Sequence, residues 1–115
     1  MSGSIYYIGC HETERVKIGY TRGNPLARLT QLQTGSPTRL ALIAVESGDR
    51  DTERQLHEEF QAHHIHGEWF SLCEELTTRM MLLVWLENAQ RDATGEQKPR
   101  WVKVGMEAFD EIEGW

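Results

Sequence analysis

Two apolar runs rich in β-branched and aromatic residues, 4–9 and 15–20, stand on either side of the polar stretch His11-Glu12-Thr13-Glu14. Short strand-forming runs around a polar connection predict an antiparallel hairpin at the very start of the chain. A helix signal follows at once. Asn24 is placed to cap, Pro25 suits the first helical position, and Leu26, Leu29 and Leu32 mark one face. Thr34-Gly35-Ser36-Pro37 then stops the helix. A hairpin followed directly by an amphipathic helix must bury one sheet face against that helix, and the rest of the fold has to be built around this unit.

Residues 40–45 form a short apolar run between turn signals and predict a third strand. Gly48-Asp49-Arg50-Asp51 offers a start for a second helix, expected over residues 51–62. Ser71-Leu72-Cys73-Glu74 fits a capping box opening a third, apolar helix through Leu76, Met80, Leu83, Val84 and Leu86. Asp92 to Lys98 reads as a loop, Trp101 to Val104 as an added edge strand, and Glu107 to Glu113 as an acidic tail. The expected fold is therefore α/β (α+β): a small antiparallel three-stranded sheet flanked by helices, in the order β-β-α-β-α-α. Residues 1–90 are expected to form the domain and 91–115 a C-terminal extension.

At 115 residues and 39% hydrophobic content, the chain suits one modest core. No apolar run reaches membrane-span length and the start lacks the pattern of a signal peptide, so a cytoplasmic location, in a bacterial or phage-infected cell, is expected. Cys10 and Cys73 form no CxxC pattern and are expected as free thiols. The net charge of −6 argues against non-specific affinity for nucleic acid, yet its distribution is uneven. Residues 1–40 carry Arg15, Lys17, Arg22, Arg28 and Arg39 against Glu12 and Glu14, whereas the acidic excess lies entirely beyond them. Lys17, Arg22, Arg28 and Arg39 are the candidate nucleic-acid contacts. Tight non-specific DNA binding by this chain alone is not expected.

In the second helix Glu53, Leu56, His57 and Phe60 fall at i, i+3, i+4 and i+7 and share one face. Leu56 and Phe60 should enter the core, drawing Glu53 and His57 inward, where an unpaired carboxylate is costly. Either Glu53 ligates a metal while His57 contacts phosphate or the nucleophile, or the two form a buried hydrogen-bonded pair that braces the fold. The hairpin offers partners. A register whose facing residues sum to 23 sets Tyr6 opposite Lys17, and any odd sum keeps them on one face, with Tyr7 among the core residues of the other. A free tyrosine has a pKa near 10, and an adjacent ammonium favours its phenolate. Tyr6 assisted by Lys17 would then take a proton from water, Arg28 would brace the phosphate, and Glu53 would hold one Mg²⁺ at the leaving oxygen.

The chain resembles the GIY-YIG nuclease superfamily through four motifs in order and spacing: the opening Ser4-Ile5-Tyr6 strand with Lys17-Ile18-Gly19, the Arg28 to Gly35 helix end, Glu53 to His57, and Gly67-Glu68-Trp69-Phe70. Tyr7-Ile8-Gly9 spells YIG but lies too close to the first motif, so the second half is the KIG of residues 17–19. KIG and GEWF together are similar to a phage-associated and fungal branch. The resemblance covers about residues 4–88. It implies a one-metal endonuclease acting on DNA, with Mg²⁺ or Mn²⁺ and with Tyr6, Lys17, Arg28, His57 and Glu53 as catalytic positions. Ser4 replaces a glycine, and Lys17 stands where a tyrosine is usual, which touches the two-tyrosine chemistry directly.

Glu68 is expected to cap or brace the turn into the third helix, and Trp69 and Phe70 to pack the core. His57, His63, His64 and His66 with Cys73 offer zinc ligands but no spacing template, so zinc is not expected. Lys98, Arg100, Trp101 and Lys103 suit either an auxiliary phosphate-and-stacking strip or an edge strand with solvated charges. The competing functional readings are a catalytically inactive nuclease-like module that binds nucleic acid or protein, and a small structural metal protein. With no second domain expected, the candidate sources of specificity are a protein partner, a homo-oligomer or structure-selective cleavage.

Overall fold

The computed structural model describes residues 3–10 and 12–94, with side chains described through Leu86. The hairpin forms as expected from β1 (Gly3–Cys10) and β2 (Arg15–Thr21), and the polar stretch is its connection. Helix α1 (Pro25–Thr34) starts where the cap signal stands: the Asn24 side chain accepts the Leu26 N–H at 2.9 Å. Strand β3 runs Leu40–Gly48 and leads into α2 (Arg50–Glu59), where Asp49 and Thr52 exchange the two bonds of a capping box. A single 3₁₀ turn (Gln61–His63), the short strands β4 (His64–His66) and β5 (Trp69–Ser71), and α3 (Glu74–Thr94) complete the order.

The chain is thus an α+β domain with one antiparallel sheet and three helices, and the strand order is β3-β1-β2-β5-β4. β1 is covered on both faces, which is why Ile5 to Cys10 are all buried. Tyr6, Ile8, Cys10, Leu40 and Leu42 pack toward Leu26, Leu29 and Leu32 of α1. Ile5, Tyr7, Val16, Ile18, Ile43 and Ala44 pack toward Leu56 and Phe60, with Leu76, Met80 and Val84 of α3. Adjacent Ile43 and Ala44 reach the same cluster because the β1–β3 register shifts between Tyr7 and Ile8, giving β3 one extra residue there.

Several expectations are corrected. The sheet has five strands, because residues 64–71 form a second hairpin around Gly67, whose φ of +54° favours glycine. Ser71 closes β5 and therefore does not cap α3, which starts at Glu74. The second helix ends at Glu59, before the 3₁₀ turn. The β1–β2 register sums to 25: Tyr6 faces Gly19, and Lys17 faces Ile8. Tyr6 and Lys17 still share a face, two residues apart along the ladder. Leu86 is 50% exposed, and α3 continues beyond residue 90 through positions expected as loop. The expected edge strand, basic strip and acidic tail lie outside the described residues.

Candidate active site

Tyr6 is buried to 1% exposure, and its ring lies across Gly19. A Cβ built on Gly19 would fall 2.7 Å from the ring's Cε1 and closer still to Cζ and the hydroxyl oxygen. The glycine of KIG is therefore the space the phenol occupies. Burial is the largest influence on the Tyr6 pKa and pushes it up; the Arg28 guanidinium beside the hydroxyl pulls it down, and Glu68 and Glu53 oppose that pull. The net direction is upward. Burial outweighs the cationic pull, and Lys17 is turned to Glu68, so the fold does not favour the expected ammonium-assisted phenolate at Tyr6.

Arg28 is half-buried on α1. One terminal nitrogen donates to Gln31 Oε1 at 2.8 Å, while its Nε is buried with no hydrogen-bond partner among the described residues. An unpaired buried donor on a cation costs stability unless an acceptor arrives, and the natural acceptor is an anion. Arg28 lines an open cleft with Tyr20, Thr21, Arg22, Asp49, Arg50 and Asp51. Arg50 lies over the Tyr20 ring at 5.3 Å. Of the four candidate nucleic-acid contacts, this cleft gathers Arg22 and Arg28 and adds Arg50; Arg39 is exposed just before β3 and is not among the lining residues.

Lys17 points to Glu68, with Nζ 3.2 Å from the carboxylate, and lies 5.6 Å from the Trp69 ring centre. On β2 the strand β5 pairs with Arg15–Lys17, and beyond that pairing Ile18 N–H donates to the Glu68 carbonyl at 3.0 Å. The Ile18 carbonyl accepts from His57 Nε2 at 2.9 Å, which fixes the proton on that nitrogen. The His57 ring also packs edge-on against Phe70, 5.0 Å between centres. His57 thus fastens α2 to β2 and leaves only Nδ1 for other partners. Trp69 is half-buried and Phe70 fully buried, as expected; the role of Glu68 as the partner of Lys17 is new.

Glu53, one turn before His57, is half-buried and carries no hydrogen bond or ion pair among the described residues. Burial first, then the negative charge of Glu68, raises its pKa, against the pull of His57, Arg50 and Lys17. The buried Glu53–His57 pair considered from the sequence is thus not the arrangement adopted. Glu53 and His57 line a cleft with Arg54, Glu58, Gln61 and His64, distinct from the one that Arg28 lines. Tyr6 connects the two, since both Arg28 and Glu53 act on its phenol.

Tyr7 sits on the opposite face, as expected, but its hydroxyl is not idle. It donates to Glu46, and Arg79 of α3 donates to the same hydroxyl at 2.8 Å while pairing with Glu46 at 2.9 Å. This network pins α3 to β1 and β3. Glu46, Arg50 and Arg79 carry no sequence signal of these roles; only Glu68 does, through its place in GEWF.

The fold is a small α+β domain compatible with a nuclease-like one, in which Arg28 and Glu53, lining separate clefts, both act on the Tyr6 phenol. Residues 3–85 match the T5orf172 domain, and the chain belongs to that family, a phage-associated one within the GIY-YIG-like and homing-endonuclease-like group. No curated protein and no solved structure matches it. No helix among the described residues is long and apolar enough to cross a membrane.

Proposed function

We propose that the chain is a metal-dependent endonuclease hydrolysing DNA phosphodiester bonds by a GIY-YIG-type one-metal mechanism. The observation that carries this reading is the Arg28 guanidinium, which lines an open cleft and stands beside the Tyr6 hydroxyl: a cationic donor fork suits non-bridging phosphate oxygens. Glu53 supplies the complementary half. A half-buried carboxylate without a partner, pressed by a second negative charge from Glu68, is suited to a hard divalent cation that retains most of its waters. Glu53 would hold that Mg²⁺ or Mn²⁺, which when bound offsets charge on phosphate oxygens.

The remaining roles follow from the contacts. Arg28 binds and orients the phosphate and stabilises its developing charge. Tyr6 accepts the proton of the attacking water in its phenolate form, which Arg28 favours and burial opposes. Glu68 holds the Lys17 ammonium at the site's edge, and His57 positions α2, and with it Glu53, through the Ile18 carbonyl. Arg22 and Arg50 join Arg28 in lining the cleft, which Asp49 and Asp51 also line, and these three arginines would contact a DNA backbone there.

The upward shift of Tyr6 favours one second reading, a binding module that has kept the scaffold. Nicking of supercoiled plasmid separates the two. Cleavage with Mg²⁺ that stops on chelation and is lost in both Arg28→Ala and Glu53→Ala supports the enzyme. Binding without cleavage across several DNA forms and divalent metals supports the module.

A further inference from the structure

We propose that His63, Cys73 and Glu75 form a site for zinc or another borderline-soft divalent cation at the foot of the β4–β5 hairpin. One ligand atom from each, an imidazole nitrogen, the Cys73 Sγ and a carboxylate oxygen, lie within 4.8 Å of one another. The three come from separate places in the fold: His63 ends the 3₁₀ turn, Cys73 precedes α3, and Glu75 lies in the first turn of that helix. His63 and Cys73 are half-buried and Glu75 is exposed.

A tetrahedral zinc with bonds of about 2.0–2.3 Å sets its ligand atoms roughly 3.5 Å apart, so side-chain rotations closing the set by about 1 Å complete the site. Three protein ligands leave a fourth position for water. The thiolate selects against magnesium, so this site is chemically separate from Glu53. Two neighbouring imidazoles each have one nitrogen engaged elsewhere, His57 Nε2 with the Ile18 carbonyl and His64 Nε2 with the Gly67 carbonyl at 2.8 Å, and neither joins this set. The set that the fold brings together is therefore not the histidine run suggested by the sequence.

The placement gives the ion a structural task. Between His63 and Cys73 lie both short strands, the Gly67 turn and Glu68, the partner of Lys17. A metal joining the two ends closes that segment at its base, where backbone pairing amounts to two three-residue strands.

Cobalt(II) titration of the chelator-treated, reduced full chain is the test. The expected result is a thiolate-to-cobalt charge-transfer band saturating at one equivalent, displaced by zinc, kept by Cys10→Ala and lost in Cys73→Ser. His63→Ala and Glu75→Ala should weaken binding by about tenfold or more. Absence of the band in the intact chain, or equal affinity in His63→Ala and Glu75→Ala, overturns the proposal. X-ray absorption of the zinc-loaded intact chain decides without any variant: one sulfur in the zinc shell is expected, and a shell without sulfur overturns the site.

Discussion

Gly19→Ala is the sharpest probe of how the KIG run works. The backbone at Gly19 does not need glycine for its dihedral angles, so alanine brings a gain in strand of about 0.5–1 kcal/mol from the unfolded state. Against that, the new methyl would stand 2.7 Å from Tyr6 Cε1 and nearer to Cζ and the hydroxyl oxygen, and the ring is 1% exposed. Overpacking of this kind costs about 1–3 kcal/mol. The net expectation is a loss of about 1–2 kcal/mol, or about 5–15 °C in Tm for a domain of this size. Urea unfolding of wild type, Gly19→Ala, Tyr6→Leu and the double variant makes the assay, because a smaller side chain at position 6 should remove the penalty. If Gly19→Ala is as stable as wild type, or costs the same in the Tyr6→Leu background as in the wild-type one, the close-approach account of this glycine is wrong.

Tyr6→Phe should abolish cleavage, whereas Tyr7→Phe, which removes one bond of the Glu46–Arg79 network, should lower stability by about 1 kcal/mol and leave cleavage intact; unfolding and nicking assays on both variants check this. Glu53→Gln should raise Tm at pH 7 while eliminating Mg²⁺-dependent cleavage. The sign follows from linkage: a carboxyl whose folded pKa is raised binds its proton more tightly in the folded state, so wild-type stability falls as pH rises from its ordinary value of 4.5 through the folded pKa. The Tm advantage of the variant should therefore vanish on acidification below that window. The single-turnover rate should climb about tenfold per pH unit between pH 7 and 9, since the upward-shifted Tyr6 leaves fewer than about one molecule in a thousand as phenolate at neutrality. A flat profile would remove Tyr6 as the base.

What was legible in the sequence was local. The hairpin, the Asn24 cap with Pro25 behind it and the Glu53 to Phe60 face are all written within a few neighbouring residues, and each forms. The hairpin register was not, because the connection fixes it: residues 12–14 lie outside the ladder, Glu14 adopts a φ of 52°, and its carbonyl is held by the Leu72 N–H. Strands of three residues such as His64–His66 are too short to show alternation. The pairs Lys17–Glu68 and Glu46–Arg79 join distant segments, and side-chain pairing across such distances leaves no local pattern. Hence Tyr6, Arg28, Glu53 and Glu68 all stand in short motifs, whereas the pairing of Lys17 with Glu68 is written in none of them.

In the proposed mechanism Tyr6, Arg28 and Glu53 act on one DNA phosphodiester as a unit. Single-turnover cleavage by the three single variants (Tyr6→Phe, Arg28→Ala, Glu53→Ala) and the triple variant tests it most directly. The account predicts that each single change removes nearly all Mg²⁺-dependent rate and that the triple variant is hardly worse than any of them, as groups sharing one reaction step behave. Losses that multiply across the three positions, or a wild-type chain that binds DNA and never cuts it, would contradict it.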